Sequence, residues 1–173
     1  MMKKEKIICI ILLLIIILTI FNFEKKQTIR SVGGEKIPDL SLHSLEGQEK
    51  KIVLGTGEPA IINFWASWCQ PCKEESLILN RLFFNHRDKI NIYAINLTKQ
   101  DDLTNIKKFV IQNQIMYPVY LDKEGLNQEG FDVRNFPTTF LIDQKGYISK
   151  IYVGVFGEKT ILEDVNDLLN IGK

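Results

Sequence analysis

The chain has 173 residues, of which 45% are hydrophobic and 25% are charged. These proportions are close to those of globular proteins and exclude a wholly disordered or collagen-like chain. Its 22 basic residues are balanced by 21 acidic ones, so charge gives no indication of a nucleic-acid partner, and its 3 cysteines are too few for a small domain held together by disulfides.

The N-terminus carries a basic segment that is followed by an apolar run. Three lysines precede residues 7–23, which read IICIILLLIIILTIFNF and contain no charge. At ~1.5 Å per residue a helix of this length reaches about 25 Å, which is enough for a short membrane span. No small-residue cleavage site follows the run. Residues 1–23 are therefore predicted to be an uncleaved signal anchor that forms a single transmembrane helix, with a cleaved signal peptide as the alternative.

The segment after the apolar run is polar and contains a Gly-Gly pair. Residues 24–36 are predicted to be a flexible tether, and residues 37–173 to form one domain. Three lysines precede the apolar run and three basic residues follow it within residues 24–30, so the positive-inside rule gives no orientation. The domain retains 2 cysteines, Cys69 and Cys72.

Hydrophobic patterns predict strands and helices along residues 37–173. In chain order they predict a hairpin over residues 40–54, a buried strand over 60–65, a helix over 71–85, a buried strand over 90–97, a helix capped by Asp101 and Asp102, a short strand over 118–121, an antiparallel hairpin over 138–153, and a C-terminal amphipathic helix. Strands that are separated by helices favour parallel pairing, and the hairpins add antiparallel strands. The predicted fold class is therefore α/β, with a mixed central sheet flanked by helices.

A Cys-x-x-Cys motif lies where the strand over residues 60–65 meets the following helix. A thiolate at a helix N-terminus is stabilised by the helix dipole and by free backbone N–H groups. Cys69 is predicted to be the exposed nucleophile that attacks a client disulfide, and Cys72 to lie deeper and resolve the mixed disulfide. In the opposite direction the pair would donate its own disulfide.

Other uses of two cysteines fit the sequence less well. A structural zinc site needs about four Cys or His ligands, whereas the histidines of the chain are His43 and His86, so no metal site is predicted. A peroxiredoxin-type peroxidase would carry Thr or Ser where Ala66 stands. An inert structural disulfide stays open, although such a short loop gives little closure stabilisation.

Two segments resemble a known family. Residues 63–72, NFWASWCQPC, resemble the active site of thioredoxin-fold proteins, especially the membrane-anchored TlpA/ResA-like thiol–disulfide oxidoreductases. Residues 135–143, NFPTTFLID, resemble the cis-proline segment of that family, and residues 37–40 resemble its entry hairpin. The resemblance implies a thioredoxin-like fold with an added N-terminal β-hairpin, and thiol–disulfide exchange through a redox-active Cys69–Cys72 pair without another cofactor.

The resemblance also implies roles for residues around the cysteines. Pro137 is expected to be cis and to pack against the cysteine pair, and the backbone at Phe136 to pair with an extended client segment. Trp65 is expected in the core. The residues expected to contact a client are Trp68, Gln70, Pro71, Phe136 and Thr138.

Glu75 lies three residues after Cys72, so both side chains share one face of the predicted helix. Apolar residues continue that face, which predicts that Glu75 is buried and that Glu74 points to solvent. A desolvated carboxyl beside the thiols would have a raised pKa and could relay protons. The alternative is a first-turn acid that complements the helix dipole; in ResA-like proteins a glutamate here lies near the cysteines, which favours the relay.

Two positions depart from the family pattern. Leu77 stands where many relatives carry proline, so the helix kink made by that proline is not expected. Gln70 replaces an acidic residue of the ResA active site, and the loss of that negative charge should make Cys69 somewhat more acidic.

The sequence therefore predicts a thiol–disulfide oxidoreductase that is tethered to the cell membrane by a single span, with its soluble domain on the extracytoplasmic side. The resemblance implies a reducing role in cytochrome c maturation. The implied partners are cysteine-containing envelope proteins such as apocytochrome c, and a membrane thiol-reductant transporter. The alternatives are a disulfide donor, a general envelope thiol reductant, and a redox-inert binding module on a thioredoxin fold.

Overall fold

A computed structural model of the protein describes Gly34 and residues 36–170. The predicted signal anchor, residues 1–23, and most of the predicted tether lie outside the described residues. Within the described part, no helix combines the length and the apolar character that a membrane crossing requires. The anchor and the domain boundaries therefore stay predictions.

The described strands form one mixed sheet. They are β1 (Leu40–Ser44), β2 (Glu49–Ile52), β3 (Ala60–Trp65), β4 (Asn91–Asn96), β5 (Val119–Leu121), β6 (Thr138–Ile142) and β7 (Ile148–Val153). Their order across the sheet is β2-β1-β5-β4-β3-β6-β7. Strand β4 pairs in parallel with β3 and β5, and the other pairs are antiparallel. The predicted mixed sheet and its added N-terminal hairpin are confirmed.

The described helices are α1 (Gln70–His86), α2 (Leu103–Gln112), α3 (Leu126–Gly130) and α4 (Glu158–Asn170), and a 3₁₀ turn spans Thr98–Gln100. Helix α1 runs without interruption through Leu77, as expected where proline is absent. Helix α3 and the 3₁₀ turn were not predicted. The carboxylate of Asp122 accepts hydrogen bonds from the backbone N–H groups of Asn127 and Gln128, and these bonds hold the first turn of α3.

Buried apolar residues form two clusters, which take alternate residues of the central strand β3. Ile61 and Trp65 belong to the cluster that includes residues of α1, α2 and α4. Ile62 and Phe64 belong to the cluster that includes residues of the β1–β2 hairpin. Because side chains alternate across a strand, Asn63 points to the same side as Ile61 and Trp65, toward the layer that contains α1.

Candidate active site

The two cysteines lie at the N-terminus of α1. Cys69 is the N-cap residue, and its sulfur forms a disulfide with Cys72 at 2.01 Å. The Sγ atom of Cys69 also accepts a hydrogen bond from the backbone N–H of Cys72 at 3.2 Å. Pro71 fits the first turn, where a backbone N–H has no partner within the helix. A thiolate on Cys69 would therefore contact an amide donor at the positive end of the helix dipole.

The predicted exposure of Cys69 is wrong for this disulfide form. Cys69 is 5% exposed and Cys72 is 3% exposed, so both sulfurs belong to the core. The physical reason is that the disulfide and the N-cap hydrogen bond both hold the sulfur of Cys69 against the first turn of α1. The neighbouring Trp68 is the surface residue instead, with 58% of its side chain exposed.

The loop that precedes Cys69 is fixed by the segment that follows β4. The backbone N–H and the hydroxyl of Ser67 donate to the carboxylate of Asp101 at 2.6 and 2.5 Å. The indole Nε1 of Trp68 donates to the carbonyl oxygen of Gln100 at 3.0 Å. These bonds position the polypeptide that leads into the disulfide.

Asp101 therefore has a different role from the predicted one. Only Asp102 caps α2, through hydrogen bonds from the backbone N–H groups of Thr104 and Asn105. Asp101 also accepts a hydrogen bond from the side-chain amide of Asn96 at 2.9 Å. Asp102 therefore caps α2, whereas Asp101 holds the active-site loop. The sequence pattern alone does not distinguish these two roles.

The Phe136–Pro137 peptide bond is cis, which confirms that prediction. The carbonyl oxygen of Pro137 accepts a hydrogen bond from the N–H of Gly154 at 2.8 Å. The ring of Phe136 lies edge-on to the ring of Trp68, with 5.9 Å between the ring centroids. The cis-proline loop is thus adjacent to the loop that carries the cysteines.

The residues predicted to contact a client are placed in three different ways. Gln70, Pro71 and Trp68 are exposed, and Phe136 is half-buried. Thr138 is 4% exposed, and its hydroxyl donates to the carbonyl oxygen of Asn135 at 2.7 Å. The side chain of Thr138 therefore supports the cis-proline loop, and its backbone lies between Phe64 of β3 and Val153 of β7 in the sheet.

Glu75 is buried, as predicted, with 1% of its surface exposed, while Glu74 is exposed. The side-chain Nδ2 of Asn63 donates to Glu75 Oε2 at 2.7 Å, and the hydroxyl of Thr139 donates to Oε1 at 3.3 Å. Burial raises the pKa of Glu75 to about 8, although both hydrogen bonds act to lower it. The carboxyl is therefore largely protonated at neutral pH.

Asn63 and Thr139 were not identified from the sequence. They lie opposite each other in the register of β3 and β6, and the Nδ2 of Asn63 also donates to the hydroxyl oxygen of Thr139 at 2.8 Å. The available signal was a single amide within the otherwise apolar run AIINFW, because a buried polar side chain needs a partner.

Two aromatic residues complete the surroundings of the site. Tyr117 is buried, and both this burial and the charge of Glu75 raise the pKa of its hydroxyl, which therefore stays neutral. Trp65 lies in the core as predicted, and its ring is 4.6 Å from the ring of Phe109. Its indole Nε1 has no hydrogen-bond partner among the described residues.

No group of three or more His, Cys, Asp or Glu side chains that could hold a metal ion occurs in the residues that the structure describes. The chemistry that the geometry supports is that of the sulfur pair and the protonated carboxyl on the same helix.

Comparisons with known proteins agree with this geometry. A sequence profile of the AhpC/TSA family matches residues 33–151. Thioredoxin-like protein YneN of Bacillus subtilis (strain 168) is 31% identical over 145 residues, which are 82% of this chain and 85% of YneN. Thiol-disulfide oxidoreductase ResA of Geobacillus thermodenitrificans (strain NG80-2) is 30% identical over 148 residues, which are 85% of this chain and 83% of ResA. The crystal structure of StoA from Bacillus subtilis matches with a TM-score of 0.64 at 27% identity, covering 75% of this chain and 98% of StoA.

Proposed function

The chain belongs to the AhpC/TSA family and is a thioredoxin-like thiol–disulfide oxidoreductase, and we propose that it reduces disulfides of client proteins outside the cytoplasm while tethered to the membrane. The observation that carries this proposal is the Cys69–Cys72 disulfide at the N-terminus of α1, with the buried Glu75 one turn further along the helix. In this proposal residues 1–23, with their apolar run over residues 7–23, are the membrane anchor, and residues 24–36 are the tether.

The reducing cycle transfers two electrons and balances as follows. The thiolate of Cys69 attacks one sulfur of the client disulfide, so that a mixed disulfide forms and the other client sulfur leaves as a thiolate. The thiolate of Cys72 then attacks the sulfur of Cys69, and the second client sulfur leaves. The client gains two electrons and, from the site and solvent, two protons, while the cysteine pair becomes the disulfide seen in the structure.

Glu75 takes part in this cycle as the group that exchanges a proton with Cys72. In its ionised form it accepts the proton of the Cys72 thiol, which makes that sulfur nucleophilic. The structure has the disulfide closed, and there the pKa of Glu75 is raised to about 8, as is required of a base that has just taken up a proton. In the opposite direction the protonated carboxyl returns the proton to the departing Cys72 sulfur.

The choice of client follows from the resemblance to ResA-like proteins. Haem attachment requires reduced cysteines, so an apocytochrome c whose cysteines have paired is a substrate of the right chemistry. The electrons that regenerate the Cys69–Cys72 dithiol would come from a membrane thiol-reductant transporter. A disulfide donor or a general envelope reductant would use the same site, and the resting redox state separates the donor from the reductants.

Trapping the mixed disulfide tests the proposal. In Cys72→Ala expressed as the full-length chain in the source cells, Cys69 should stay linked to its client, which mass spectrometry identifies after reduction. Cys69→Ala/Cys72→Ala is the matched control, and the absence of any Cys69-dependent adduct would refute two-cysteine exchange.

Alkylation of intact cells tests the extracytoplasmic placement. A membrane-impermeant alkylating reagent added to cells with the wild-type protein should modify Cys69 and Cys72. If the pair is shown to be reduced and yet is not modified, the extracytoplasmic placement is refuted. If the pair is found as a disulfide in resting cells, the donor alternative is favoured.

A further inference from the structure

The two neighbours of Glu75 differ in the hydrogen bonds that they can make. The Nδ2 of Asn63 donates one hydrogen to Glu75 Oε2 at 2.7 Å and the other to the hydroxyl oxygen of Thr139 at 2.8 Å. An amide nitrogen only donates. Asn63 therefore requires Oε2 to remain an acceptor in both protonation states of Glu75.

Thr139 is more versatile, because a hydroxyl offers one donor and two acceptor sites. Its oxygen lies 3.3 Å from Glu75 Oε1 and already accepts one hydrogen from Asn63. When Glu75 is ionised, the hydroxyl of Thr139 donates to Oε1. When Glu75 is protonated on Oε1, the hydroxyl oxygen of Thr139 can accept a hydrogen bond from that O–H on its remaining lone pair, after the hydrogen of Thr139 has rotated away.

We propose that Thr139 is a positioning residue whose hydroxyl changes from donor to acceptor when Glu75 takes up its proton, so that the carboxyl keeps one place in both states. The inference rests on the proposed proton exchange between Glu75 and Cys72. Asn63 and Thr139 are buried on adjacent central strands in direct register. Rigid strands and the exclusion of water leave the hydroxyl as the group that adapts.

Few other titratable groups face this cluster in the described part of the chain. Cys69 and Cys72 are joined in a disulfide and do not titrate in the oxidised protein. Tyr117 interacts electrostatically with Glu75, but its pKa is raised, so it remains neutral. In the oxidised chain, a carboxyl that titrates well above the ordinary range of carboxylic acids is therefore assigned to Glu75.

Infrared spectroscopy of the oxidised full-length protein tests the inference. The carbonyl band of protonated Glu75 is identified by its loss in Glu75→Gln and followed from about pH 6 to about pH 10. In Thr139→Val the band should move to higher wavenumber, because the acid loses its acceptor, and Thr139→Ser should restore it. Asn63→Leu removes a donor that binds ionised Glu75 more strongly than protonated Glu75, so the titration midpoint of Glu75 should rise by about one pH unit or more. Thr139→Val should raise this midpoint less, because the hydroxyl of Thr139 bonds to both forms.

Two results would overturn the inference. One is an unchanged carbonyl band in folded Thr139→Val, and the other is a midpoint shift in Thr139→Val as large as that in Asn63→Leu. If Asn63→Leu does not fold, the comparison of the valine and serine variants still decides. The relay itself is tested separately, because thiol exchange by Glu75→Gln at the wild-type rate over the whole pH range would refute the relay without changing the band of Thr139→Val.

Discussion

Replacing Glu75 with glutamine should remove a large pH dependence from the stability of the oxidised protein. Burial raises the pKa of Glu75 from 4.5 to about 8. Between these values the folded chain holds a proton that the unfolded chain has released, so the free energy of unfolding falls as the pH rises through this window. At about 1.36 kcal/mol per pKa unit, the total loss is on the order of 4–5 kcal/mol and is complete above about pH 8.

Glutamine can occupy the position of Glu75 without the fall in the free energy of unfolding at high pH, because its side chain does not ionise. Its amide oxygen can accept the hydrogen bond that Asn63 now donates to Oε2, and its amide nitrogen can donate to the hydroxyl oxygen of Thr139. The variant resembles the protonated form of Glu75. We therefore expect equal stability near the acidic end of the window, and a more stable variant above about pH 8, by several kcal/mol.

Urea unfolding of the oxidised full-length chain in mild detergent, followed by circular dichroism at a series of pH values, measures this difference. Glu74→Gln is the matched control, because Glu74 is exposed on the same helix turn. It should keep the wild-type pH dependence. Parallel pH profiles for Glu75→Gln and the wild type would refute the assignment of a buried, protonated carboxyl.

Two further predictions concern the support of the site. Asp101→Ala should lower the free energy of unfolding by about 1–3 kcal/mol, since the active-site loop loses its acceptor, and should increase the quenching of Trp68 fluorescence by a quencher dissolved in the solvent. Asp102→Ala should lower the free energy of unfolding by about 1 kcal/mol and leave this quenching unchanged. Equal quenching in both variants would contradict the role of Asp101. Leu79→Ala should lower the free energy of unfolding by about 2–5 kcal/mol because Leu79 is fully buried in α1, whereas exposed Leu77→Ala should change it by less than about 0.5 kcal/mol. Similar losses of stability at both leucines would contradict the assignment of Leu79 to the buried face of α1 and of Leu77 to its exposed face.

Local patterns were sufficient for the elements that carry the cysteines. Each of these features depends only on residues that are close together in the sequence: the apolar run of β3, the proline in the first turn of α1, and the spacing of Cys72 and Glu75. The cis bond at Pro137 was expected only through the resemblance, because an isolated X-Pro bond is trans by default. Helix α3 was missed because its 5 residues are too few to show a helical period.

The remaining features depend on contacts between distant segments. Asn63 and Thr139 are 76 residues apart in the chain, and only the antiparallel register of β3 with β6 places them together. The burial of Cys69 depends on the closed disulfide and on the packing around it. Single-residue patterns carry no information about register or about the redox state, so neither feature could be predicted.

Counting thiols during one turnover tests the central claim most directly. The reduced full-length chain is mixed with a peptide that contains one disulfide, quenched with acid, labelled with an alkylating reagent and analysed by mass spectrometry. The account predicts that the thiols of Cys69 and Cys72 disappear together while the peptide gains the same number, and that Cys69→Ser leaves the peptide oxidised. Reduction of the peptide by Cys69→Ser at the wild-type rate would contradict it.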